Sequence, residues 1–305
     1  MPVTVQIPTL DNESRIGKAF NDLFLVISRT ESVNISEEVI WDFSKCHFLH
    51  PFFIGGLCIY RHHTERLISL KGMDSYPGKY LSLIHFDTTM ELPDVGTAEA
   101  LMDNYRHRSY IPICKFGASD DEIIDSVTSA LQKIIQAQAS LPAKCVSALS
   151  YLIGELTTNI HDHSQSEYGF MFSQYLEREN CINLCIADTG VSIYGSFYRS
   201  HKFDASALQD EGHVLNMALS QFSTKNLPEQ ENRGFGLPTT KRMLVEGMRG
   251  SFFILSGNAF HRHDSQGEHT AVLPDRFGWD GTIVLLKIPV SVPEGFNYLN
   301  YVDKL

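Results

Sequence analysis

The chain has 305 residues, 43% of them hydrophobic and 20% charged, with 36 acidic against 25 basic side chains and a formal net charge of −11. That length accommodates two domains, each with a core, and the acidic balance argues against a nucleic-acid partner held by phosphate contacts. No apolar run reaches the length of a membrane span, and the opening Met-Pro-Val-Thr-Val-Gln is not a basic-then-apolar leader, so a cytoplasmic protein with no membrane partner is expected. Cysteines at 46, 58, 114, 145, 181 and 185 are scattered, and only the last two are close enough to share one face of a strand. Zinc sites need clustered ligands and disulfide frameworks belong to small secreted chains, so buried free thiols are expected. The pairs His62/His63, His161/His163 and His261/His263 lack cysteines or carboxylates at ligand spacing, which argues against a structural metal.

Residues 1–116 alternate short strands and helices. Residues 39–43 read as a strand with Asp42 near its end, and 55–67 as a helix carrying Leu57, Tyr60 and Leu67. Residues 79–86 alternate like a strand, 99–107 suit a helix, and 110–116 form another short strand. Alternating elements of this length predict an α/β domain over 1–116, followed by a second domain over 117–305.

Ser119-Asp120-Asp121-Glu122 opens the next helix as a capping box, with Ser119 bonding the first-turn amides and Glu122 bonding back. Ile123, Ile124, Val127, Leu131, Ile134 and Ile135 give its apolar face, and Leu141-Pro142 ends it, Pro142 suiting the first position of the following helix. That second helix runs through Tyr-Leu-Ile-Gly-Glu-Leu-Thr-Thr-Asn-Ile-His-Asp-His-Ser, residues 151–164. Glu155 and Asn159 lie one above the other on it, His163 follows one turn later, and Ile153, Leu156 and Ile160 face away. A carboxylate, an amide oxygen and an imidazole in line suit a magnesium nucleotide, although such a row also fits a solvated helix face.

Residues 170–176 and 182–187 read as strands joined by a hairpin at Glu177-Arg178-Glu179-Asn180. The second strand runs into Asp188-Thr189-Gly190. Residues 194–232 show little periodicity beyond a short helix over 213–222, and they include a polar Ser223-Thr224-Lys225 able to meet phosphates. Arg233-Gly234-Phe235-Gly236-Leu237 precedes a helix over 239–248, and strands over 252–255, 270–273 and 282–289 complete a sheet.

In order and spacing, the 151–164 helix, the Asp188-Thr189-Gly190 turn and the Arg233-Gly234-Phe235-Gly236-Leu237 segment, with Gly281-Thr282 heading the last strand, resemble the motifs of the GHKL ATPase superfamily. Its members include gyrase, histidine kinases and the anti-sigma serine kinases. The resemblance covers roughly residues 119–290. It implies a C-terminal α/β sandwich of the α+β kind, with helices on one face of a mixed sheet, that binds ATP or ADP and Mg2+.

Under this resemblance Glu155 matches the residue that orients or deprotonates the attacking water or hydroxyl. Asn159 matches the magnesium ligand, where a hard, neutral amide oxygen binds the ion without repelling triphosphate. His163 matches a residue beside the phosphates in some branches, and reads equally as a plain helix-end histidine. Asp188 matches the carboxylate that accepts from the adenine amino group and so rejects guanine; as a residue type it also suits a strand-end turn. Gly190 lets the backbone approach the base, but the second glycine that many members carry two residues later is Ser192 here. Gly234 and Gly236 free amides for phosphate oxygens at a helix N-terminus, with Phe235 packing between them and Leu237 following. Lys225 and Arg233 are candidate phosphate contacts, or simply solvated bases, and Thr282 matches the threonine that supports the adenine-binding Asp. The long stretch between the glycine motifs corresponds to the lid that the superfamily folds over ATP.

The pattern Glu-Leu-x-x-Asn-x-x-x-His-Ser, from Glu155 to Ser164, is nearest the anti-sigma serine kinase branch. A histidine-kinase role is disfavoured because residues 119–140 contain no histidine. The first domain, a strand ending in Asp followed by a turn, a Gly-containing apolar stretch and a helix, resembles a STAS domain, the fold of anti-sigma-factor antagonists. Such antagonists carry a phospho-accepting Ser or Thr at the turn before the helix, whereas residues 45–63 contain neither, so a docking or dimerising role, or that of a plain scaffold domain, is expected. Two functions follow. One is a magnesium-dependent ATPase or serine/threonine kinase that acts on a protein partner. The other is an ATP-gated interaction switch with little or no turnover. A homodimer through the first domain or the lid is compatible with both.

Overall fold

Three short parallel strands organise the first part of the chain. The computed structural model describes residues 2–9, 16–220, 236–274 and 277–302. It divides into two compact units, Met1–Met90 with Pro112–Cys114, and Glu91–Ile111 with Lys115–Leu305. In the first, β1 (Val3–Gln6) and β3 (Ile68–Lys71) both pair in parallel with β2 (Val39–Asp42). Parallel neighbours need long crossovers, and α1 (Ile16–Glu31) and α2 (Pro51–His63) supply them and pack on each other. Trp41 of β2 is fully buried; its Nε1 donates to Thr30 Oγ1 at 3.0 Å, and the Thr30 hydroxyl donates onward to the Val26 carbonyl at 2.9 Å.

Two expectations in this unit change. The helix expected over 55–67 is α2, which begins earlier because His50 takes the cap, its Nδ1 accepting from the Phe52 amide at 3.2 Å, with Pro51 in the first turn. Residues 79–86, expected as a strand, belong mostly to α3 (Tyr76–Leu83). Ser75 caps that helix by accepting from the Gly78 amide at 3.2 Å, and Leu81 and Ile84 are buried three residues apart, a helical spacing that prevails over the apparent alternation.

The larger unit contains α4 (Val95–Tyr105), which packs on α5 (Asp121–Ala139), and α5 packs on α6 (Ala143–Asn159). Among the described residues an eight-stranded sheet comprises β4 (Met90–Leu92), β5 (Tyr110–Gly117), β6 (Tyr168–Leu176), β7 (Cys181–Asp188), β8 (Ser251–Gly257), β9 (Ala259–Asp264), β10 (Gly267–Val272) and β11 (Trp279–Pro289). Its order is β10-β9-β8-β11-β7-β6-β5-β4, antiparallel from β6 through β10. All eight residues of β7 are buried, as befits an inner strand covered on both faces, and all six cysteines are buried and free. Parallel pairing in one unit and antiparallel pairing in the other make this a mixed α/β chain of the α+β kind.

The remaining helices are α7 (Ile193–Ser200), α8 (Glu211–Ala218), α9 (Gly236–Arg242) and the short α10 (Leu299–Val302). Phe197, Leu208, Val214 and Ala218 form a small apolar cluster that holds α7 and α8 together. Among the described residues no helix is long and apolar enough to cross a membrane.

The cap of α5 also differs from expectation. Asp120, not Ser119, takes the N-cap, its Oδ1 accepting from the Glu122 amide at 3.0 Å and the Ile123 amide at 3.2 Å. A carboxylate bonded to two amides at the positive helix end outcompetes a neutral hydroxyl. Pro142 sits at the cap of α6 instead of its first position, after Ser140 has ended α5 in the left-handed conformation at φ 49°. Asp120→Ala is expected to lower the unfolding free energy of the larger unit by about 1 kcal/mol, and Ser119→Ala by less than about 0.5 kcal/mol, as read by denaturant titration.

Candidate functional site

On α6 the side chains of Glu155 and Asn159 stack one turn apart, and the α-helix ends at Asn159. The chain then widens into a π-helical turn over Ile160–Ser164, closed by Gln165 at φ 54° and by the Ser164 hydroxyl donating to the Ile160 carbonyl at 2.6 Å. His163 therefore lies on this widened turn and not on a further turn of α-helix.

Gly236, the first residue of α9, lies against that row. A Cβ there would overlap Glu155 Oε2 and stand 3.3 Å from Glu155 Cδ and 4.0 Å from Asn159 Nδ2. Asn159 Nδ2 is buried with no hydrogen-bond partner among the described residues. Leu237 follows Gly236 in α9 and is half-buried. One turn before Glu155, Tyr151 stands on the same face of α6. Burial, then the charge of Glu155, holds the Tyr151 phenol well above its ordinary pKa.

The second group gathers at the end of β7. Asp188 is 4% exposed, and its Oδ1 accepts from the Gly190 amide at 2.9 Å. Desolvation pushes its carboxyl up to about 7, with the Gly190 and Thr282 amides pulling the other way. Because the folded value is raised above that of an unfolded carboxyl, its contribution to stability is present at low pH and is lost as pH rises through about 7. Thr282 stands directly opposite Asp188 in the β7–β11 register. Its hydroxyl, however, pairs with Ser256 Oγ at 2.9 Å, so its amide rather than its side chain supports the Asp.

Two glycines permit this arrangement. Gly281 has φ +91° at a bulge in β11, and a Cβ on it would overlap the Asp188 carbonyl and come within 2.5 Å of Oδ1. A Cβ on Gly190 would overlap the Ser164 carbonyl, which already accepts from the Val191 amide at 2.6 Å. The Gly190 turn is thus seated on the π-helical turn that continues α6, so the two groups of residues share one support. Ser192, where a second glycine was expected, caps α7, its Oγ accepting from the Gly195 amide at 3.1 Å.

The structure therefore brings Glu155, Asn159 and Gly236 together, and separately Asp188, Gly190 and Thr282, with Ser164 bridging between them. Lys225, Arg233, Gly234 and Phe235, with the Ser223-Thr224 pair, lie outside the described residues. Tyr151 and Ser256 are additions the sequence reading did not include. Tyr151 was findable, since extending the Glu155–Asn159 row back by four residues reaches it. Ser256 was not, because its role arises only from the pairing of β8 with β11.

Among the described residues no cluster of three His, Cys, Asp or Glu side chains is placed to hold a metal ion. Comparison with protein-family models, with curated proteins and with solved structures finds no match to this chain.

Proposed function

We propose that the larger unit is a GHKL-like nucleotide-binding domain that takes up ATP with Mg2+ and hydrolyses it or passes its γ-phosphoryl group to a protein, in the manner of an anti-sigma serine kinase acting in the cytoplasm. One observation carries this reading: Gly236, from a segment far along the chain, abuts both the Glu155 carboxylate and the Asn159 amide. A glycine at a helix start beside a carboxylate and an amide is what a triphosphate and its cation require of a protein. The orphaned Asn159 Nδ2 fits a bound group at this point. When bound, the nucleotide supplies the transferable phosphoryl group and Mg2+ supplies charge neutralisation. The chain's own parts are Glu155, which orients or deprotonates the attacking oxygen, and Asp188, which accepts from the adenine amino group.

The first unit, with its parallel strands and its Asp42 at the end of β2, is read as STAS-like. Asp42 is engaged by the Ser44 amide at 2.9 Å and by Lys71 at 3.0 Å, and these bonds, those from Ser44 foremost, hold its carboxyl down at about 2. His50 occupies the helix cap in the stretch that contains no Ser or Thr, which supports a docking role over that of a phosphorylation substrate.

Three outcomes are expected. Purified protein with Mg-ATP releases phosphate, and Glu155→Ala abolishes that release while retaining nucleotide affinity within about threefold, as measured by calorimetry; tight binding by the parent without turnover assigns the gated-switch role instead. Asp188→Asn weakens ATP binding by about 1–3 kcal/mol, and the parent prefers ATP to GTP; equal affinities would refute adenine selection. Because only the ionised carboxylate is a full acceptor, ATP affinity rises as pH increases through about 7 and then levels off. Repeating that titration with Asp188→Asn subtracts the phosphate's own protonation and should remove the Asp188 component.

A further inference from the structure

We infer that Ser256 is a specificity-determining positioning residue for the Asp188 turn, its buried hydroxyl tying the start of α7 to the Gly281 bulge of β11. The inference rests on the nucleotide reading above and adds a residue that the motif set does not contain.

Ser256 lies on β8 directly opposite Thr282 of β11, and Thr282 lies opposite Asp188 of β7. Regular pairing of β8 with β11 breaks at this point, because the register shifts between Thr282 and Trp279. Ser256 is 3% exposed, and its hydroxyl holds together what the ladder no longer pairs. Its Oγ accepts from the Ile193 amide at 2.7 Å, and it stands 2.9 Å from Thr282 Oγ1 and 3.3 Å from the Gly281 carbonyl oxygen. A serine hydroxyl offers one proton and two lone pairs. With Thr282 as donor, Ser256 passes its own proton to Gly281 and its bonding capacity is filled. A side chain so enclosed and so fully bonded has nothing left for a ligand, so it acts through the groups it holds.

Those groups border Asp188. Gly281 is the residue whose missing Cβ lets β11 close on the Asp188 backbone and carboxylate. Ile193 begins α7 three residues beyond Gly190, whose amide donates to Asp188 Oδ1 at 2.9 Å. The stretch from Asp188 to Ile193 is therefore held at two points. The Ser164 carbonyl accepts from the Val191 amide at 2.6 Å, and Ser256 accepts from the Ile193 amide. Amides at a helix start have no partner within the helix, so removing the Ser256 oxygen strips Ile193 and Thr282 of one shared partner.

A carboxylate selects adenine over guanine only while its oxygens stay where the amino group arrives. A turn free to shift lets Asp188 accommodate either base and forfeits the benefit of preorganisation. Ser256 thus governs discrimination between purines, whereas the triphosphate falls to the group around Gly236.

The test measures ATP and GTP affinities by calorimetry for the parent, Ser256→Ala, Thr282→Val, Thr282→Ser and the Ser256→Ala/Thr282→Val double variant. Amide exchange at Ile193 and Gly190 is followed in nucleotide-free protein. Ser256→Ala is expected to weaken ATP binding about tenfold while GTP affinity stays within about twofold, so the preference for ATP shrinks. Exchange at Ile193 and Gly190 accelerates by about tenfold. Thr282→Val removes the link from its other end while leaving the backbone amide, and it repeats the Ser256→Ala result even if that variant fails to fold. The double variant loses no more than either single one, because both break the same link. Thr282→Ser keeps the hydroxyl and retains the parent preference. A parent-like ratio of ATP to GTP affinity in Ser256→Ala or Thr282→Val, or equal losses for both nucleotides, overturns this inference and leaves the nucleotide reading standing. A Thr282→Ser variant as impaired as Thr282→Val does the same. A parent that binds neither nucleotide, or both equally, overturns the adenine reading and this inference together.

Discussion

The site depends on a carboxylate held out of water. Asp188 ends the inner strand β7, is nearly inaccessible, and has two backbone amides to offset its desolvation. A buried charge is tolerated only where its surroundings are fixed in advance. Gly190 and Gly281 provide that fixation by letting two stretches of backbone come closer than any side chain would permit. The β7–β11 pairing sets Thr282 opposite Asp188, and the bulge at Gly281 turns the end of β11 around it.

From that fixed point the arrangement propagates through backbone. The Gly190 turn rests on the carbonyl of Ser164, which ends the π-helical turn continuing α6. α6 holds Glu155 and Asn159 in one row, and Gly236 at the head of α9 closes over both. Each joint is a close approach or a backbone hydrogen bond, so a group bound at one end acts on a frame rather than on independent side chains. Short glycine-mediated contacts tolerate little displacement.

How much of this was legible beforehand varied with the physics of each segment. The long amphipathic helices α5 and α6 and the hairpin β6–β7 were readable because their apolar periodicity extends over many residues. α3 was misread because Tyr80, Ser82 and Ile84 mimic alternation within a stretch of eight residues, too short for the two periods to separate. β9 was missed because its inward positions include His261, fully buried yet polar, its Nδ1 paired with Thr270 Oγ1 at 2.8 Å. The cap of α5 was assigned to the wrong neighbour, since Ser119 and Asp120 are both good cap residues and only the amide directions choose between them. Among site residues, the row on α6 was visible from spacing, whereas the approach of Gly236 to it, far along the chain, was not.

By itself the sequence determined the helix and strand types of its long periodic segments and the mixed α/β class. Those follow from local sterics and from which side chains alternate with which period. The tertiary structure alone decided where α4 belongs, on α5 in the larger unit, and that Ser192 begins a helix. It alone decided, too, that the Thr282 hydroxyl turns to Ser256. The reason is physical: a residue's type sets which bonds it can make, but the partner is chosen by which segments the core and the sheet register bring within reach.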